Sequence, residues 1–204
     1  MIAIIDYGMG NLRSVQKALE QVGAQAIVTS DKAEILKAKK VILPGVGAMR
    51  PAMERLKELD LIEPIKTVIG DGVPFLGICL GMQLLFDKSY EGGEVPGLGI
   101  VPGIVTMVRG ENLKVPHMGW NQLKISDTMP MYQNVSQGSN VYFCHSYFVR
   151  PIESQEKSCI ASITDYNGFL FVSSFCKDNL WAVQFHPEKS QKVGLTILEN
   201  FKRL

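Results

Sequence analysis

Surplus charge, paired cysteine motifs and long apolar runs are all scarce in this sequence, and each scarcity excludes a class of protein. Lys and Arg number 21 against 20 Asp and Glu. A net charge of +1 leaves no bulk attraction for nucleic acid or a membrane surface. Basic residues cluster no further than pairs such as Lys39-Lys40 and Lys202-Arg203. The four cysteines, Cys79, Cys144, Cys159 and Cys176, form no C-x-x-C and no metal-ligand spacing. Free thiols in a reducing cytoplasm are therefore expected, and no zinc site. The longest weakly polar run, Val73 to Phe86, is too short for a bilayer and carries Gln83. No basic segment or small-residue cleavage site precedes the strand-like Ile2-Ala3-Ile4-Ile5, so no secretion is expected. What is present, 204 residues of which 46% are hydrophobic, suffices for one globular domain with a sizeable core.

The first half alternates short apolar runs with helical periodicity. Strands are expected at Ile2 to Ile5, Ala26 to Thr29, Val41 to Leu43 and Pro74 to Ile78. Helices are expected from Leu12 to Val22, Lys32 to Ala38, Met49 to Leu59 and Leu61 to Ile69, with a further buried helix over Leu80 to Phe86. Continuous apolar strands between helices imply a parallel sheet covered on both faces, with ligands gathered beyond the strands' carboxyl ends. Asp6, Gly45 to Gly47 and Cys79 all fall on that edge. Gly8 and Gly10 match the first two glycines of a dinucleotide fingerprint, but Arg13 stands in place of the third, a wedge against close helix packing. From Ile100 to Val183 the chain reads as short strands and turns that extend the sheet with antiparallel or mixed strands. The expected architecture is α/β, a single three-layer domain with a mostly parallel central sheet. A closing helix carries Val193, Ile197, Leu198 and Phe201 on its inner face, with Pro187 at its first position.

Gly77-Ile78-Cys79-Leu80-Gly81 has the glycine-x-nucleophile-x-glycine spacing of a strand-to-helix elbow, with cysteine as nucleophile. A thiol there stands at a helix start, where the dipole favours thiolate. A small buried hydrophobe is the other reading, and a base decides between them. Of the three histidines, His186 closes the run Trp181 to Phe185 and opens His186-Pro187-Glu188. Proline holds the residue before it extended, so the His186 and Glu188 side chains project to the same side. That is the base and orienter of a triad, or alternatively a histidine at a helix start with Glu188 favouring the dipole. Pro44-Gly45-Val46-Gly47 is either an ordinary turn or a loop that brings N–H groups close to a ligand.

These pieces resemble class I, triad-type glutamine amidotransferases along the whole chain. The resemblance rests on Asp6-Tyr7-Gly8-Met9-Gly10-Asn11, Pro44-Gly45-Val46-Gly47, Gly77 to Gln83, Pro116-His117-Met118-Gly119-Trp120-Asn121, His145-Ser146-Tyr147 and Gln184 to Ser190. The second and fourth stretches point to the histidine-pathway branch. The resemblance implies that Cys79 attacks the glutamine amide carbon, that His186 protonates the departing ammonia and that Glu188 orients His186. It implies an oxyanion hole from the Leu80 N–H and the Val46-Gly47 segment, in a strand that must first reorient. Gln83, Glu91, Ser146 and Tyr147 would meet glutamine, with a solvated loop charge as the other reading of Glu91. It further implies no cofactor and a (β/α)₈ cyclase partner that receives ammonia. His117, Trp120, Asn121 and Lys189 are the candidate docking residues, although Trp120 also reads as core and Lys189 as a solvated charge. Cys144 stands where the family pattern has valine. The alternatives are an amidotransferase of another pathway and a doubly wound module without chemistry. The triad argues against the second, and Pro116 to Asn121 against the first.

Overall fold

The computed structural model describes residues 1–110, 113–126, 129–152 and 159–204. Four parallel strands form as expected: β1 (Ile2–Ile5), β2 (Ala26–Thr29), β3 (Lys40–Gly45) and β4 (Phe75–Cys79). Between them run helices α1 (Leu12–Gln21), α2 (Lys32–Lys37), α3 (Met49–Glu58) and α4 (Ile62–Gly70). β3 runs on through Pro44 and Gly45, so the glycine loop begins only at Val46. The pleat divides each strand between two cores. Ala3 and Ile5 pack with Leu56, Ile65 and Val68 of α3 and α4 on one face. Ile2 and Ile4 pack with Val15 and Leu19 of α1 on the other, where Leu198 and Phe201 of the last helix, α6 (Gln191–Arg203), join them.

The helix after the elbow, α5 (Leu80–Leu84), is shorter than the expected Leu80 to Phe86. Phe86 instead opens a strand, β5 (Phe86–Ser89), which pairs with β6 (Val95–Pro96) and with β7 (Val101–Met107). The second half then follows as β8 (His117–Gln122), β9 (Lys124–Ile125), β10 (Asn140–His145), β11 (Tyr147–Pro151), β12 (Ile160–Tyr166), β13 (Phe169–Lys177) and β14 (Leu180–Val183). Only part of this half extends the main sheet, whose order is β2-β1-β3-β4-β14-β13-β12-β9. β14 runs parallel to β4, and the strands beyond it are antiparallel. The rest form a separate four-stranded sheet, β11-β7-β5-β6, and a two-stranded ribbon, β10-β8. The ribbon packs Val141 and Phe143 into the α1/α6 core, whereas Phe86, Val101 and Val105 of the small sheet join the opposite core.

Two local expectations need correcting. Pro187 opens a separate 3-10 turn, Pro187–Lys189, and α6 starts only after it. Arg13 is exposed, so it points away from the strand and wedges nothing apart. Among the described residues, no helix is long and apolar enough to cross a membrane.

Candidate active site

The elbow exists because two glycines allow three backbones to touch. A Cβ on Gly81 would stand 1.8 Å from the carbonyl oxygen of Leu43, and one on Gly77 would stand 2.9 Å from that of Gly81. The turn holds Cys79 at φ 55° and ψ −109°, a region that L-residues avoid, which costs on the order of 1–3 kcal/mol. Such strain concentrates at functional sites. It leaves the thiol at the carboxyl edge of the sheet, 6% exposed and lining a cavity of about 240 Å³. α5, which follows Cys79 directly, is only five residues long, short of the length that supplies a full macrodipole.

β14 lies directly beside β4, with Val183 opposite Ile78, so the chain leaving β14 delivers His186 to the same edge. His186 has the extended backbone expected before proline, φ −102° and ψ 97°. Its Nδ1 lies 2.8 Å from Glu188 Oε1, and the Glu188 side chain is 1% exposed. Burial alone would lower this imidazole. Hydrogen bonds to Cys79 and Glu188, together with their charges, outweigh burial and push it up to about 10. Ser190 braces the histidine from below: its Oγ donates to the His186 carbonyl at 2.6 Å and accepts from the Tyr142 N–H at 3.0 Å. Cys79 and His186, far apart in sequence, thus line one cavity, with Glu188 bonded to the far nitrogen of the imidazole.

Around them, Val46, Gly47, Leu80, Gln83, Glu91, Ser146, Tyr147 and Lys189 all line the same cavity, as does Cys144. Val46 is 41% exposed, and Gly47 sits at φ +96°, where glycine is favoured. Glu91 is no free loop charge: its Oε2 accepts from the Met49 N–H at 2.8 Å, closing the N-terminus of α3. The backbone carbonyl of Cys144 lies 3.9 Å from Cys79 Sγ.

The docking candidates divide by the pleat of β8. Trp120 is 48% exposed, and its cross-strand neighbour Tyr142 lies beneath the Lys189 ammonium, 5.7 Å from the ring centroid. Met118, on the same face and 60% exposed, is a surface residue that strand alternation in the motif would have revealed. His117 overturns its expectation: it is 3% exposed, stacked on Tyr166 and Phe143, and no partner can reach its ring. Asn121 is half-buried, and its amide is turned inward to the Asp165 carbonyl.

No spacing in the sequence gives Gln184 a role. It is fully buried, its Nε2 donates to Cys79 Sγ at 3.6 Å, and its Oε1 accepts from Gln83 Nε2 at 2.9 Å. The available signal was a glutamine within an apolar strand, because a buried amide needs partners.

A mixed sheet thus carries an elbow cysteine and a strand-end histidine with its carboxylate to one edge, the arrangement of a thiol-based acyl-transfer enzyme. Residues 3–203 match the family model described as "Glutamine amidotransferase class-I". The chain belongs to that family. More particularly, it is 54% identical over 206 residues to "Imidazole glycerol phosphate synthase subunit HisH" of Geobacter metallireducens, with 98% of this chain and 96% of the relative covered. It is 52% identical over 201 residues to the protein of the same name from Aquifex aeolicus, covering 98% and 95%. Two solved structures share the fold. One, described as a glutamine amidotransferase, has a TM-score of 0.75 at 16% identity and covers 99% of this chain and all of its own. The other, PurLQS from Thermotoga maritima, has a TM-score of 0.71 at 18% identity and covers 99% and 97%.

Proposed function

We propose that this chain is the glutaminase subunit of a two-subunit enzyme of histidine biosynthesis, with Cys79 as its nucleophile. The observation that carries this reading is that Cys79 and His186 line one cavity while the buried Glu188 carboxylate holds His186 Nδ1 from behind. Cys79 Sγ attacks the side-chain amide carbon of glutamine, and the carbonyl oxygen becomes an oxyanion. The Leu80 N–H and the Val46-Gly47 segment receive that charge. Each such donor is worth about 10²–10³ in rate. His186 gives its proton to the departing nitrogen, so ammonia leaves and a glutamyl thioester remains. A water, deprotonated by the now neutral His186, hydrolyses the thioester to glutamate and regenerates the thiol. Glu188 accepts from Nδ1 throughout, which directs Nε2 at the reacting atoms. Gln83, Glu91, Ser146 and Tyr147 form the walls that hold the substrate's polar end.

The ammonia passes to a cyclase subunit with a (β/α)₈ barrel, which docks against the exposed face of the ribbon through Met118, Trp120 and Lys189. Val46 holds the oxyanion strand in an inactive orientation until the cyclase and its nucleotide ligand are bound, so ammonia is not released unused. The pair works in the cytoplasm. Co-purification followed by a glutaminase assay, with and without the cyclase, tests this reading. The chain alone should be nearly inactive and the complex active. Full activity in isolation would remove the regulatory part, and an inactive complex would remove the whole reading.

A further inference from the structure

Beneath the exposed face of the ribbon, its buried face carries a line of polar groups that the reaction does not use. His145 Nδ1 lies 2.9 Å from the Tyr147 carbonyl oxygen. An oxygen of that kind only accepts, so Nδ1 carries a proton, and a neutral His145 must accept at Nε2. His117 Nδ1 lies 3.1 Å from that Nε2 and therefore donates to it. His117 Nε2 is then the lone pair that accepts from Asn121 Nδ2 at 3.3 Å. The orientation of Asn121 is fixed independently. Its Nδ2 donates to the Asp165 carbonyl at 3.0 Å, and its Oδ1 accepts from the Gln122 N–H at 2.8 Å. At the inner end, the Tyr147 carbonyl also accepts from Gln83 Nε2 at 3.0 Å, and Gln83 continues through Gln184 to Cys79.

Every donor and acceptor in this line has one consistent assignment, and it requires both imidazoles to be neutral. A proton on either would set donor against donor. Burial works in the same direction, lowering His117 to about 4 and His145 to about 3. A buried network whose members are all satisfied fixes geometry in a way that an apolar packing of the same groups does not.

We propose that His117 and His145 are positioning residues, tying the ribbon to the Tyr147 carbonyl and so fixing the wall on which Gln83 and the bound amide substrate are held. The kinetic part rests on the reading of this cavity as the glutamine site. The tautomeric part does not.

Two measurements on the full chain separate those parts. In ¹⁵N-histidine NMR at pH 7, His117 and His145 should both appear as neutral Nδ1–H tautomers. An Nε2–H tautomer or a cation at either position overturns the proposal, whatever the enzyme does. In the glutaminase assay of the complex, His117→Phe keeps the ring stacking and removes both nitrogens. It should raise KM for glutamine about tenfold and change kcat by less than about threefold. His117→Asn, which retains an N–H donor near the Nδ1 position, should recover most of the loss. Asn121→Leu leaves both imidazoles in place and removes the outer donor, together with the bonds to the Asp165 carbonyl and the Gln122 N–H; it should raise KM about threefold, which keeps the test available if His117→Phe does not fold. An unchanged KM in a folded variant, or an equal loss in His117→Asn, overturns the positioning role. A wild-type complex without glutaminase activity would instead refute the proposed function and leave the NMR result to judge the network.

Discussion

Gly81→Ala probes the elbow where the structure constrains it most. A methyl at this position would lie 1.8 Å from the Leu43 carbonyl oxygen and 2.9 Å from its carbon. Carbon and oxygen need more than 3 Å between them, so β3 and α5 must separate by over about 1 Å. Both groups are backbone, and no rotamer change can relieve the overlap. Overpacking of a core typically costs about 1–3 kcal/mol, and a clash between two backbones belongs at or above the upper end. For a chain of 204 residues, about 3 kcal/mol corresponds to a fall of roughly 6–12 °C in unfolding midpoint. Gly70→Ala is the internal control: it ends α4, has no atom within 4 Å of an added methyl, and does not have a positive φ. That variant should gain about 0.4–1 kcal/mol by restricting the unfolded chain. Parallel thermal and urea unfolding of the two variants is the assay. If Gly81→Ala melts within a degree or two of the parent, the elbow is not built by close approach and the account of why Cys79 sits where it does is wrong.

Other consequences follow from single contacts. His186→Ala should lower glutamine turnover by about 10²–10⁴, and Glu188→Gln by less, because the latter leaves the base in place. The reverse order would mean that base and orienter have been exchanged. Tyr7→Phe removes a fully buried hydroxyl that has no partner among the described residues, and should raise stability by about 1 kcal/mol in urea unfolding. A loss would show that the hydroxyl is satisfied after all. Acid should destabilise the fold through His117 and His145. The unfolded chain takes up these protons below about 6.5, whereas the folded chain takes them up only near about 4 and about 3. More protons are therefore bound in the unfolded state over that window, and the urea midpoint should fall as pH drops from 7 to 4.5. The fall should be smaller in His117→Asn, and an identical fall in both proteins would contradict the assignment. His186 acts in the opposite direction. Its contribution is complete below about 6.5 and is lost as pH rises through about 10.

The sequence discloses the parts of this molecule that depend on neighbours in the chain. Ile2 to Ile5 and Ala26 to Thr29 are strands because each is a short apolar run bounded by turn residues. The elbow is legible from two glycines around a cysteine after an apolar strand, and His186 from its place between a strand and a proline. What stays hidden depends on pairing at a distance. Phe86-Asp87-Lys88-Ser89 carries two charged residues and has no strand signature, yet it pairs with Val101 to Val105 across a loop. Strand alternation separates His117 from Met118, but the rings that cover it, Phe143, Tyr166 and Phe171, lie on three other strands, and nothing within Pro116 to Asn121 tells which face they cover. Gln184 shows the same limit, because its partners lie on α5 and at Cys79.

The chemistry assigned to Cys79 can be examined most directly by acid-quenching the complex during turnover and searching its peptides by mass spectrometry. A glutamyl thioester on the peptide containing Cys79, absent from a folded Cys79→Ala variant that no longer turns over glutamine, is the predicted result. Turnover retained in Cys79→Ala, or a thioester on a different residue, would contradict it.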